Sequence, residues 1–169
     1  MKNFFLRDKR KEPLRLEGST VMLDEIRPEY FPYVIMWRND KNLNRYINQP
    51  EELTPEKELN WYENIYLNDN TQGFMIMTDK ESMKPFATLG WTDYDPVKRQ
   101  CIRGRLMLCD SCYALKLMEG TLILSDYLYE FVDVIYSHIS TSNKRSLRWA
   151  ALWDLNSARE NGNILRKRK

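Results

Sequence analysis

Gly104-Arg-Leu-Met-Leu-Cys-Asp110 closes a run from Gln100 that reads as a strand, and the elements downstream of it set the fold. A short loop feeds a long helix from Leu115 to Phe131, on which Met118, Leu122, Ser125, Leu128 and Tyr129 recur at helical spacing. Val132 to Ile139 comes next, with Val132, Val134 and Tyr136 alternating against Asp133, Ile135 and Ser137, the two-residue period of a strand. Asn143-Lys-Arg-Ser146 then opens a second helix that ends near Trp153, with Asn143 or Ser142 as its cap.

Working outward, Leu16 to Ile26 reads as one strand, stopped by Pro28. Phe31, Val34 and Ile35 have helical spacing, and Trp37-Arg-Asn-Asp40 ends that helix; Asn42 to Tyr46 reads as a second, short one. Thr54-Pro-Glu-Lys57 is a helix start, with Thr54 as cap, Pro55 at the first helical position and acids in the first turn. Leu59, Tyr62, Ile65 and Tyr66 line one face of that helix. Phe74 to Thr78 and Phe86 to Thr92 form a hairpin across Asp79 to Lys84. Asp93-Tyr-Asp-Pro96 breaks the pattern before the strand from Gln100 to Leu108. Asn161-Gly162 is a hairpin signal with about one short strand of chain beyond it. The order predicts an α/β or α+β fold, a mixed and mostly antiparallel central sheet flanked by helices. Residues 1–14 read as an N-terminal arm and 15–169 as a single domain.

At 169 residues the chain can bury a real core. A formal net charge of +2 is too near balance to argue for nucleic acid on its own, so nucleic acid is not the expected partner, and the basic ends (Arg7 to Lys11, Arg166 to Lys169) read as solvated tails. The apolar run at the N-terminus is too short for a signal peptide or a spanning helix, so a membrane partner is not expected. Three cysteines without a secretion signal point to a reducing, cytoplasmic setting. Cys109 and Cys112 form a lone C-x-x-C, and His138 is the only histidine, so no metal site is expected.

Three segments resemble the GNAT superfamily of N-acetyltransferases, in particular the branch with ribosomal-protein N-terminal acetyltransferases and amino-sugar N-acetyltransferases. They are Trp37-Arg-Asn-Asp40 with Thr54-Pro-Glu-Lys-Glu-Leu-Asn-Trp61, Gly104-Arg-Leu-Met-Leu108, and Asn143-x-x-Ser146. The resemblance spans about Leu16 to Arg166. It implies a sheet splayed at an acetyl-CoA site, acetyl-CoA as co-substrate, and direct transfer to a primary amine. A nucleotide-linked amino sugar or a protein N-terminus is the implied acceptor. A non-catalytic GNAT-like binding module that has lost acetyl transfer is the competing reading. The final strand reads as shortened, so part of the acceptor wall would come from elsewhere, a partner subunit of a homodimer being one source.

The same resemblance implies residue roles. Leu106, Met107 and Leu108 would present the strand edge to the cofactor, with the Leu106 backbone N–H polarising the thioester carbonyl. Where the family has (Q/R)-x-x-G-x-(G/A), this chain has Leu115, Met118 and Gly120. Gly120 and Thr121 would sit at the pyrophosphate, crowded by Met118, with Lys116 offering charge. Asn143 and Ser146 would reach the cofactor from the next helix, where Trp149, Ala150 and Trp153 stand in place of a tyrosine acid. Arg38, Asn39 and Trp91 would face the acceptor. Tyr94, between Asp93 and Asp95, is a candidate acid, or simply part of a Pro96-bounded turn.

Overall fold

A computed structural model describes residues 12–47, 49–153, 159–160 and 163–167. The strands are β1 (Arg15–Glu17), β2 (Val21–Glu25), β3 (Gly73–Asp79), β4 (Pro85–Asp95), β5 (Gln100–Leu108), β6 (Val134–His138), β7 (Arg159–Glu160) and β8 (Asn163–Lys167). The helices are α1 (Phe31–Asn39), α2 (Pro55–Trp61), α3 (Ala114–Tyr129) and α4 (Lys144–Trp153). One sheet takes the order β1-β2-β3-β4-β5-β6-β8-β7. Its one parallel pair among the described residues is β5 with β6. The mixed, mostly antiparallel α/β architecture is the expected one.

Two expected elements differ. Leu16 to Ile26 is not one strand but a hairpin, because Gly18 N turns back to Val21 O at 2.9 Å. The Glu119 carboxylate of α3 accepts the Thr20 backbone N–H at 3.0 Å and holds that turn. Asn42 to Tyr46 is a chain of turns rather than a helix. Of the expected N-terminal arm, residues 1–11 lie outside the described residues, and Leu14 continues β1 by exchanging bonds with Glu25. The Asn161-Gly162 turn and Asp154-Leu155 also lie outside the described residues. β8 pairs with β6 along all five residues of each.

Two apolar layers pack on the two faces of the sheet. Under α3 lie Leu23, Met75, Met77, Phe86, Leu89, Leu124 and Leu128; under α1 and α2 lie Ile26, Phe31, Val34, Tyr66, Phe74 and Ile76. Complete burial of side chains this large is worth roughly 1.5–3 kcal/mol each. Tyr66 stitches the second layer to the sheet: its hydroxyl donates to Glu25 Oε1 at 2.9 Å and accepts from the Phe74 N–H at 3.0 Å. Thr54 caps α2, accepting from Lys57 N at 3.3 Å. Among the described residues no helix is long and apolar enough to cross a membrane.

Gly73 pairs with Trp91 across β3 and β4, and the indole lies where a Cβ on Gly73 would be. Gly73→Ala is expected to lower the urea midpoint by the equivalent of about 1–3 kcal/mol, the usual overpacking cost. An unchanged midpoint would show that the indole can move aside.

Candidate functional site

The site arises where β5 stops serving two neighbours. β5 pairs with β6 only at Gln100, Cys101 and Ile102. It stays paired with β4 to Leu108, but the register shifts between Thr88 and Gly90. That shift is a bulge: Arg105 takes the left-handed conformation (φ 57°), and its carbonyl accepts from Thr88 Oγ1 at 2.5 Å. Bulges bend the strand and re-aim side chains. Here Arg103 turns to α3, where Nη1 donates to Ser125 Oγ at 2.7 Å. Arg105 turns to the opposite face, over the rings of Trp61 and Phe74 at 5.5 and 5.1 Å, with Gln72 Oε1 accepting from Nη2. Leu106 and Leu108 return to the α3 side.

The divergence opens a cleft of about 1100 Å³ between β5, β6 and α4. Gly104 lines it, and a Cβ built there meets nothing within 4 Å. Arg38, Leu106, Met107, Leu108, Thr121, Asn143 and Ser146, all singled out from the sequence, line this one cleft. Asn143 caps α4: its Oδ1 accepts from Ser146 N at 3.0 Å. Thr121 is committed within its helix, donating to Leu117 O at 2.7 Å.

Five other expected residues lie elsewhere. Gly120 is nearly two turns inside α3, buried against Met77, whose Sδ would be 2.8 Å from a Cβ there. It is a helix–sheet packing glycine. The first turn before α3 is instead Ser111–Tyr113, capped by Asp110, whose Oδ1 accepts from Cys112 N at 2.9 Å. Lys116 is drawn off by an ion pair to Asp79. Trp91 is 2 % exposed in the core under α3, near Tyr127. Asn39 staples the segment after α1: its Oδ1 accepts from Leu53 N at 2.9 Å and its Nδ2 donates to Leu53 O at 2.8 Å. Tyr94 packs against the α3-side core, with its N–H on Thr71 O, and burial pushes its hydroxyl pKa up.

Sequence reasoning singled out Arg38 but missed the five other arginines of the cleft. Six line the cleft: Arg38, Arg45, Arg103, Arg105, Arg145 and Arg148; among the described residues that line it there is no Asp or Glu. The signal for two of them is present in α4, where Arg145 and Arg148 stand near the N-terminal, positive end of the helix dipole, an unfavourable place for a cation. No signal marks Arg105, because ideal alternation puts it on the same face as Arg103. Neither thiol of the C-x-x-C is activated: burial and then the Asp110 carboxylate raise the Cys109 pKa, and slight desolvation with the Asp110 carboxylate beside it raises that of exposed Cys112.

No family model matches the sequence, and no curated protein matches it. Solved structures do. A spermidine N-acetyltransferase from Vibrio cholerae, in complex with CoA and spermine, superposes with a TM-score of 0.72 at 13% identity, covering 89% of this chain and 96% of that one. FdhC, a nucleotide-linked sugar GNAT, superposes at 0.71 and 15% identity, covering 91% and 89%. A GCN5-related N-acetyltransferase from Brucella melitensis superposes at 0.72 and 13% identity, covering 91% and 77%. At such identities the likeness shows the fold, and the fold is that of the GNAT N-acetyltransferases.

The Asp79–Lys116 pair carries a pH dependence. Lys116 and the Ser82 hydroxyl, at 2.7 Å, hold the Asp79 carboxyl at about 2, below its ordinary 3.8. A depressed carboxyl contributes stability above its unfolded value and loses it as pH falls through the folded one. Wild type should therefore exceed Asp79→Asn in urea stability at neutral pH, with the gap closing as pH falls from about 4 to about 2. A gap that persists unchanged across that range would show that the ion pair is not its source.

Proposed function

We propose that this protein is an acetyl-CoA-dependent N-acetyltransferase acting on a primary amine by direct transfer. The observation that carries the proposal is the cleft at the β5 bulge, where residues 103–108 leave β6 and turn an unshared strand edge toward α4. Such an edge suits the amides of a pantetheine arm. The Leu106 backbone N–H is the group assigned to polarise the thioester carbonyl. The chemistry asks little else of the protein. The amine nitrogen forms a bond to the acetyl carbon, the C–S bond breaks with its electron pair on sulfur, and one proton passes from nitrogen to sulfur. Asn143 and Ser146 line the α4 side of the channel, and Tyr46 lines it with its hydroxyl donating to Ser142 O at 3.3 Å. Lys116, Gly120, Trp91 and Tyr94 have no part in this reading.

The acceptor classes that the Trp37 to Trp61 resemblance implies, a nucleotide-linked amino sugar or a protein N-terminus, share the need for a neutral amine. The linker after α1 builds that side of the cleft: Arg38 Nε donates to Gln49 Oε1 at 2.8 Å, and Asn44 Nδ2 donates to Arg38 O at 2.7 Å. One observation favours a non-catalytic module instead. Asp110 occupies the turn before α3 with a carboxylate, where the family sets a phosphate.

Isothermal titration with acetyl-CoA and, separately, desulfo-CoA tests the proposal. Saturable binding at one site per chain is expected, with thiol release then detected in an amine screen. A folded sample that binds neither at about millimolar ligand would overturn it in favour of the binding module. Gly104→Val gives a second check, since its side chain would enter the open cleft at a strand position that tolerates branching. The expected result is an unshifted thermal midpoint with acetyl-CoA affinity reduced about tenfold or more.

A further inference from the structure

Direct transfer needs a neutral amine, yet a primary amine enters largely as its ammonium at neutral pH. The group that takes the proton must itself be unprotonated there. Six arginines line the cleft, and among the described residues that line it there is no Asp, Glu, Cys or Lys. Aliphatic hydroxyls and phenols are poor bases near neutrality. His138 also lines the cleft, and it is the only histidine of the chain. Imidazole is the side chain that exchanges protons in this range.

The fold places His138 at the split between the strands. β5 and β6 pair through Gln100 with Val134, Cys101 with Ile135 and Ile102 with Tyr136. The same register carried two residues further sets His138 opposite Gly104, where the strands have parted and a Cβ on the glycine meets nothing within 4 Å. Alternation along the strands adds a direction. Cys101 and Ile135 pack under α3, so Ile102, Gly104, Tyr136 and His138 belong to the other face of the sheet, the face on which α1 and α2 pack. Leu106, whose N–H is assigned to the thioester carbonyl, stands two residues beyond Gly104, about 6–7 Å along the strand. A carbonyl group and the nitrogen that attacks it fit a gap of that size.

A second observation is independent of the register. A smaller cavity of about 250 Å³ lies beside the cleft, lined by Asp93, Gln100, Cys101, Ile102, Tyr136 and His138. His138 is the one residue common to the linings of both. It is exposed, and no described residue ties up its imidazole. A proton taken on the cleft side therefore has a way to water that bound substrates do not block. The ionisable groups around it are Arg45 and Tyr46 of the linker, Arg145 and Arg148 of α4, and Arg103 and Arg105 of β5 on the cleft side. Asp93 of β4 and Tyr136 of β6 are those on the other side. Uncharged Asn163 of β8 is in register with His138, and Glu160 of β7 is in register with Asn163.

We propose that His138 is the catalytic base of the transfer. The inference rests on the acetyl-transfer reading and goes beyond it in naming the residue that frees the acceptor nitrogen. The neutral imidazole takes one proton from the substrate ammonium and loses it to water. The amine lone pair then forms the bond to the acetyl carbon. The C–S bond breaks with its electron pair on sulfur, and a second nitrogen proton passes to that sulfur. The products are the amide, the free thiol and one proton in solution.

The test uses the full chain saturated with acetyl-CoA and two primary amines, glucosamine and alanylalanine, with thiol release as the readout. His138→Gln should keep the wild-type thermal midpoint and acetyl-CoA affinity. Its kcat with the better amine should fall about a hundredfold or more, the usual worth of a general base, with KM little changed. Wild-type kcat/KM for the amine should fall as pH drops through the point where the imidazole protonates. Because the chain has one histidine, that point is read from a single Cε1 proton resonance, here in the desulfo-CoA complex. The kinetic and spectroscopic midpoints should coincide, and His138→Gln should lose that limb of the profile. Added imidazole should restore part of the rate to His138→Ala, which a merely structural role would not allow. Wild-type turnover in His138→Gln, the same acid limb in variant and wild type, or midpoints that differ would each overturn the inference alone. No thiol release by acetyl-CoA-loaded wild type with either amine would overturn the transfer reading and this inference with it.

Discussion

The structure turns on β5, which cannot satisfy both of its neighbours along its whole length. β4 holds it antiparallel from Gln100 to Leu108, while β6 runs parallel and stays with it for three residues. The bulge at Arg105 releases the conflict. One additional residue on β5 bends the strand away from β6, and the cost is a left-handed backbone at a residue with a long side chain. Thr88 offsets part of that cost by donating to the displaced carbonyl. The cleft, the open space over Gly104 and the opposed directions of Arg103 and Arg105 are consequences of this one local departure.

The surrounding packing explains why the departure persists. Both faces of the sheet are filled, by α3 on one side and by α1, α2 and the Tyr62–Tyr66 turn on the other. Gly73 leaves the room that the buried Trp91 indole fills, and Gly90 lies close against the Gly73 carbonyl and the Arg105 side chain. A strand clamped this tightly by β4 cannot shift register to recover its pairing with β6, because a slip would turn buried Cys101 and Met107 to the wrong faces.

Much of this is readable from residues alone, for a physical reason. Strand and helix periods depend on local alternation and spacing, so β4, β5, α3, β6 and the caps at Thr54 and Asn143 stand within a few residues of where their patterns put them. The failures share a cause as well. Motif position aligns Gly120 with a phosphate loop, although the apolar period from Leu115 already places it inside a helix, where its small size admits Met77. Trp91 and Tyr94 sit toward the end of a long strand whose last residues still face the core, which alternation does not reveal without knowing what covers them. The bulge leaves no trace, since Arg103-Gly-Arg105 is as good a solvent-facing pattern as a re-aimed one.

Electrostatics at the two helix starts then distinguishes the two ends of the cleft. Before α3 the backbone N–H groups meet a carboxylate of the chain's own, Asp110, and Lys116 is held by Asp79. At α4 the N–H groups meet Asn143, which satisfies one of them without adding charge, and Arg145 and Arg148 add cations near the positive end of the dipole. Such an arrangement destabilises a helix in the absence of an anion. An anionic chain laid in the cleft is therefore drawn toward α4 and away from α3, the reverse of the placement that the motif spacing implies. The turn before α3 and the start of α4 thus carry opposite charge, a carboxylate at the one and guanidiniums at the other.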